Sequence, residues 1–280
     1  MSEQRGVRPG RRGFFIYSSI MVLIVMAFSD DLVEGIWGQP RPLIVIPVDV
    51  LLLLVAFALI WVGQIATERI DRSAAVTWYA IGAGIILAID IYAVVLHPSP
   101  YQFWASVVHY VAFVLLALVS MAVNPRHLIG TNSAEARERL ALGAPLLLGT
   151  LGAYAASYAW QWTGSGVDQE YFAQMSQVIP LLFVAVGLEG QYFQRAHGKR
   201  SEGGLTAVLL TLLVVGELMA LSALVPSSTQ GSGLTAWHEY LGLVTTAFAC
   251  TSALGALILA VLGIVDPAKS LASSATSTQD

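Results

Sequence analysis

Eight long apolar runs fix what this chain can fold into. They lie at approximately residues 14 to 29, 43 to 66, 76 to 96, 103 to 123, 140 to 162, 173 to 193, 205 to 225 and 239 to 263. Runs of this length match the hydrocarbon thickness of a bilayer when wound as helices. They lack the period-two alternation of barrel strands, and backbone in lipid must satisfy its own hydrogen bonds. The expected fold is therefore all-α, a polytopic membrane bundle of about eight transmembrane helices. Composition agrees: 11% of the 280 residues are charged, against roughly 25% in a soluble domain, and the mean hydropathy is +0.70. The single cysteine, Cys250, excludes a disulfide framework or a Cys-rich metal centre.

The basic residues orient the spans. Arg5, Arg8, Arg11 and Arg12 precede the first span. Arg69 and Arg72, then Arg126, Arg137 and Arg139, then Arg195, Lys199 and Arg200 follow every second span, and Lys269 lies beyond the last. These 13 of the 14 Lys and Arg fall on one side of an eight-span topology, and Arg41 alone falls on the other. Positive charge accumulates in cytoplasmic loops, so both termini are expected in the cytoplasm and the lipid partner is the plasma membrane. The seven tryptophans lie near span ends, at headgroup level.

The first span is the weakest. Phe14 to Phe28 gives fifteen apolar residues, a rise of about 22 Å, and Ala27-Phe28-Ser29 resembles a signal-peptide cleavage site. Snorkelling by Arg11 and Arg12 can lengthen it, and it is read as a retained span. The domain reading is a basic flexible arm at 1–12, one transmembrane domain at 13–265 and a polar tail at 266–280. Asn132-Ser-Ala-Glu135 reads as a capping box opening span five as a short amphipathic surface helix. The short loops leave no room for an inserted catalytic or nucleotide-binding domain, and no phosphate loop or nucleic-acid motif occurs.

Two features hint at duplication. Val45-Ile46-Pro47 recurs as Val178-Ile179-Pro180, and Trp104 recurs as Trp237, both at an offset of 133. Spans one to four would map onto five to eight in the same orientation, a 4+4 parallel repeat. Gly149, Ala153 and Ser157 make a small-residue face on span five. Such a face packs helices within the bundle, or joins copies or other subunits in a homo- or hetero-oligomer.

Ionisable groups inside hydrocarbon are costly and mark candidate function. The set is Asp49, Asp90, His109, Glu189 and Glu217, with no Lys or Arg. Retinal and pyridoxal phosphate are therefore not expected, since each needs a Schiff-base lysine. Asp49, Asp90 and His109 each lie six residues from the outer end of their spans, about 9 Å deep. Two carboxylates and an imidazole at one level can bind a divalent cation, relay a proton or hydrogen-bond one another. His97, His238 and Glu239 lie at the outer mouth, where Asp30, Asp31, Glu34, Asp168 and Glu170 make the exterior acidic. Glu217, about 18 Å from the inner end of span seven, and Glu189 near the inner end of span six extend a staggered acidic track.

That track favours a small transporter or channel for protons or cations. A membrane-embedded metal-dependent hydrolase would draw on Asp49, Asp90, His109 and one of His97 or His238, without an HExxH spacing to mark it. A b-type haem protein lacks an evident second axial histidine. A non-catalytic accessory subunit is the third class.

Overall fold

A computed structural model describes residues 9–30, 33, 42–65, 72–96, 102–121, 134–163, 167–197, 203–225 and 233–261. Within them the chain is helical, without strands. The helices are α1 (Pro9–Ala27), α2 (Pro42–Ile60), α3 (Arg72–Leu96), α4 (Gln102–Ser120), α5 (Ala134–Thr163), α6 (Gln169–His197), α7 (Gly203–Leu224) and α8 (Gly233–Val261). One π-helical stretch, Trp61–Ile65, continues α2. Each apolar run expected to span coincides with one of these helices. Five windows are long and apolar enough to cross a membrane: Ile44–Gly63, Arg72–Tyr92, Gln169–Glu189, Leu205–Leu224 and Trp237–Val261. Phe15–Ala27 and Trp104–Ser120 are shorter apolar helices.

Local chemistry explains several boundaries. Pro9 and Pro42 occupy the first positions of α1 and α2, where a missing N–H costs nothing. Because α1 begins at Pro9, its 19 residues rise about 28 Å, more than the apolar run alone. Asp168 caps α6: its Oδ1 accepts the Glu170 N–H at 3.0 Å, and its carbonyl accepts the Tyr171 N–H. The start of α5 and its apolar part form one continuous helix through Pro145. The capping residues Asn132 and Ser133, the terminal arm through residue 8 and the tail after 261 lie outside the described residues.

The chain divides into two compact units, residues 1–140 with 229–237, and 141–228 with 238–280. In the first unit α1 packs on α2 and α4, and α3 packs on both α2 and α4. The core is built from Ile20, Leu23 and Met26 of α1, Leu53, Ala56 and Ile60 of α2, Ile86 of α3, and Phe113 and Leu116 of α4. Outward faces are apolar too: Leu51, Leu54, Ile91 and Val111 are exposed, as a lipid-facing surface requires. Gly82 of α3 sits against the Leu116 side chain and the Ala112 carbonyl of α4; a Cβ there would lie 2.8 Å from Leu116 Cδ2. Tyr79 donates its hydroxyl proton to the Leu53 carbonyl at 2.5 Å, tying α3 to α2.

In the second unit α6 and α7 pack closely around Ile179, Leu182, Val186, Leu209 and Leu213, with Ala249 and Ala253 of α8 closing the cluster. The small-residue face of α5 is occupied within this unit. Gly149 faces Ser252 and the Phe248 carbonyl, and Gly152 faces Thr251. Tyr240 donates to Ser157 Oγ at 3.0 Å. Gly216 of α7 sits against Ala249 and the Thr245 carbonyl of α8. Hydroxyls inside helices return to their own backbone, as Thr150 does to the Leu146 carbonyl and Ser120 to that of Leu116. That is how a polar side chain is satisfied where water is absent.

Gly149→Leu is expected to lower the unfolding temperature in detergent, costing about 1–3 kcal/mol by overpacking, because Phe248 and Ser252 already occupy the space. Gly84 has nothing within 4 Å of its missing Cβ, so Gly84→Ala should leave the transition unchanged or slightly raised. Equal behaviour of the two variants would contradict the α5–α8 contact.

Candidate proton and cation site

Helical periodicity decides where the acids point. On α2 the buried positions are Val45, Asp49, Leu53, Ala56 and Ile60; on α3 they are Ala75, Tyr79, Gly82, Ile86 and Asp90. Both series step by three or four residues, the signature of one inward stripe. Asp49 and Asp90 belong to these stripes, at 2% and 4% exposure, while Val50, Leu51 and Ile91 beside them face outward.

The structure brings these two acids together. Their carboxyls lie close to each other. Ser29, itself buried, donates its hydroxyl proton to Asp49 Oδ1. Asp90 Oδ2 is enclosed and accepts no hydrogen bond from any described donor. Asp30, exposed and next in sequence to Ser29, lies within electrostatic reach of Asp90.

Ionised carboxylates are acceptors only. Two facing carboxylates have no donor between them, so a proton or a cation is what would join such a pair. Among the described side chains the one Lys or Arg is Arg72. It stands eighteen residues from Asp90 on the same helix, a rise of about 27 Å. The two carboxyls sit in unlike surroundings, Asp49 with a donor from Ser29 and Asp90 Oδ2 with none described, so a proton held there would favour one of them.

His109 is at the matching level. Gly82 meets Leu116; eight residues on from Gly82 is Asp90, and seven back from Leu116 is His109, rises of about 12 and 10.5 Å toward the same end. His109 lies three and seven residues before Ala112 and Leu116, the two residues that meet Gly82 of α3. Among the described residues no group of three or more His, Cys, Asp or Glu is placed to hold a metal ion. The structure thus joins Asp49 to Asp90 without completing a three-ligand set with His109. His97, Asp31 and Glu34 lie outside the described residues.

The remaining acids belong to the second unit. Glu217 is half-buried on α7, with Oε2 enclosed and without a hydrogen-bond partner among the described residues, and within electrostatic reach of Cys250 on α8. One turn before Cys250, Thr246 Oγ1 lies 2.8 Å from the Tyr171 hydroxyl of α6. Glu189 is half-buried at the end of the apolar window of α6. His238 Nε2 lies 2.9 Å from Ser222 Oγ, linking α8 to α7, and Glu239 beside it is half-buried. Ser29 and the Tyr171–Thr246 pair are absent from the candidates read in the sequence. Their roles come from contacts between helices, which leave no periodic signal.

No family model, no curated protein and no solved structure matches this chain.

Asp49→Asn keeps an acceptor for Ser29 and adds a donor toward Asp90, so its stability should stay within about 1 kcal/mol of the parent. Asp49→Leu strands the Ser29 hydroxyl and the Asp90 carboxyl, and should cost roughly 1–3 kcal/mol for each buried group left unsatisfied. Chemical unfolding in micelles measures both; a Leu variant as stable as the Asn variant would contradict the pairing.

Proposed function

We propose that this chain is a polytopic plasma-membrane protein that carries protons or cations, with the Asp49–Asp90 pair as the group that takes up and releases the ion. The observation that carries this reading is a pair of buried acids on the inward stripes of two packed apolar helices, with Ser29 donating to one of them. Such a pair is expensive in hydrocarbon and contributes little to packing that apolar residues would not do better. Its value lies in exchanging charge.

An eight-span topology with both termini in the cytoplasm is part of the proposal. It is supported by the match between each apolar run and a helix and by the 13 to 1 division of basic residues. A 4+4 parallel repeat is supported by equivalent helix crossings. Gly82 meets Ala112 and Leu116 in one unit, and Gly216 meets Thr245 and Ala249 in the other. Ala112 to Thr245 and Leu116 to Ala249 are the same 133 residues that separate the two Val-Ile-Pro segments and Trp104 from Trp237, while the two glycines are one residue further apart, at 134. At that offset Asp49 and Asp90 correspond to Leu182 and Ala223. The duplicated scaffold then bears one acidic pair, in its first half, while Glu217 supplies a separate carboxyl in the second. Small carriers built from parallel repeats place their sites within such helix packing.

Reconstitution in liposomes loaded with a pH-sensitive dye tests the proposal. Under an imposed proton gradient or a cation gradient the parent should dissipate it, and Asp90→Asn and Asp49→Asn should each slow this roughly tenfold or more. Glu217→Gln reports separately on the second unit. If Asp49→Asn and Asp90→Asn both match the parent, the pair is not the ion-carrying group.

A further inference from the structure

We infer that Ser29 is a positioning residue that couples the charge on Asp49 to the end of α1: when an ion neutralises Asp49, the tether from Ser29 slackens and the chain opens at Phe28. This rests on the carrier reading above and names the element that responds when the site is loaded.

The hydroxyl of Ser29 is used differently from most hydroxyls on these helices. Ser19, on the same helix, returns its hydroxyl to the Ile16 carbonyl at 2.9 Å. Ser120, Thr150, Thr246 and Thr251 each bond the carbonyl four residues back. That local bond is the ordinary way to satisfy a hydroxyl in an apolar helix. Ser29, at 4% exposure, instead hydrogen-bonds Asp49 Oδ1, twenty residues away on α2, the helix against which α1 packs.

The backbone changes at the same place. The regular helix α1 ends at Ala27. The Phe28 N–H bonds the Val25 carbonyl at 3.3 Å, three residues back rather than four and longer than a usual backbone bond. Residues 29 and 30 are helical again. The chain therefore has a joint at Phe28 closed by a long backbone bond, and the first side chain beyond the joint is fastened to Asp49.

The strength of that fastening depends on charge. A hydroxyl bound to a carboxylate makes a charge-assisted bond, roughly twice as strong as a bond between neutral groups. A proton on Asp49 removes the charge and a bound cation competes for it, so either ion loosens the tether. Coupling is reciprocal: an ion that eases opening at Phe28 is in turn bound more readily by the opened form. The other titratable side chains around Asp49 are Asp90 of α3 and Asp30, next to Ser29, while Tyr79 of α3 donates to the Leu53 carbonyl. Ser29 bonds Asp49 itself, so the charge on that carboxyl is the one the joint senses.

Hydrogen exchange of the full-length protein in lipid nanodiscs, read by mass spectrometry over residues 25–30, tests this. Asp49→Asn keeps an acceptor for Ser29 and removes the charge, so these amides should exchange about threefold faster or more. Ser29→Ala should quicken exchange at least as much, and Ser29→Thr should restore the parent rate. Ser29→Ala added to Asp49→Asn should bring little beyond Ser29→Ala alone. Amides of α6 and α7 should keep the parent rate in every variant, which reports an intact fold. A hydroxyl that only fills a packing position would leave Asp49→Asn at the parent rate, and that result overturns the coupling. Independent, multiplying effects of the two substitutions overturn it as well. If exchange comes out as expected while liposomes of the parent move no ions, the carrier reading falls and the coupling stands. If ions flow but Asp49→Asn exchanges at the parent rate, only the coupling falls.

Discussion

A polar group without a partner costs several kcal/mol in hydrocarbon, and that cost organises this molecule at every scale. It makes helices of the apolar runs, since only an internally bonded backbone is tolerated there. It turns the hydroxyls of Ser120, Thr150, Thr246 and Thr251 back onto their own helices. It also sets two buried aspartates on facing stripes, with Asp49 taking a donor from Ser29.

Close helix approach is the companion requirement. Lipid tails are as apolar as leucine, so helices associate through shape rather than through exclusion of water. Gly82, Gly149, Gly152, Gly216 and Gly242 supply that shape, each lying where a Cβ would meet a neighbouring helix. Gly82 matters most for the site, because the approach of α3 to α4 holds Asp90 in register with the upper part of α4. The glycines of the second unit tighten its own helix contacts, Gly149 and Gly152 against α8 and Gly216 of α7 against Ala249.

Much of the architecture was legible in the sequence because run length and charge bias are one-dimensional signals. The eight runs needed only counting, and the cost of an acid in lipid singled out Asp49 and Asp90 without reference to neighbours. Depth arithmetic placed them at one level, yet which way each pointed was hidden. The α2 segment Pro42–Ile60 is apolar on nearly every side, so no amphipathic face marks its interior; packing alone selects the stripe through Val45, Asp49 and Leu53. Ser29 was read as part of a cleavage-like ending because its partner is twenty residues away on another helix. His109 shows the converse limit, since equal depth does not by itself make a ligand set.

The central claim is that the side chains at positions 49 and 90 touch across the α2–α3 packing. Disulfide trapping tests this most directly. In a Cys250→Ala background, Asp49→Cys with Asp90→Cys should cross-link within the chain under mild oxidation, since facing side chains fall within disulfide range. Asp49→Cys with Tyr92→Cys should not, because Tyr92 lies on the exposed face of α3. Efficient cross-linking of the second pair and none of the first would contradict the account.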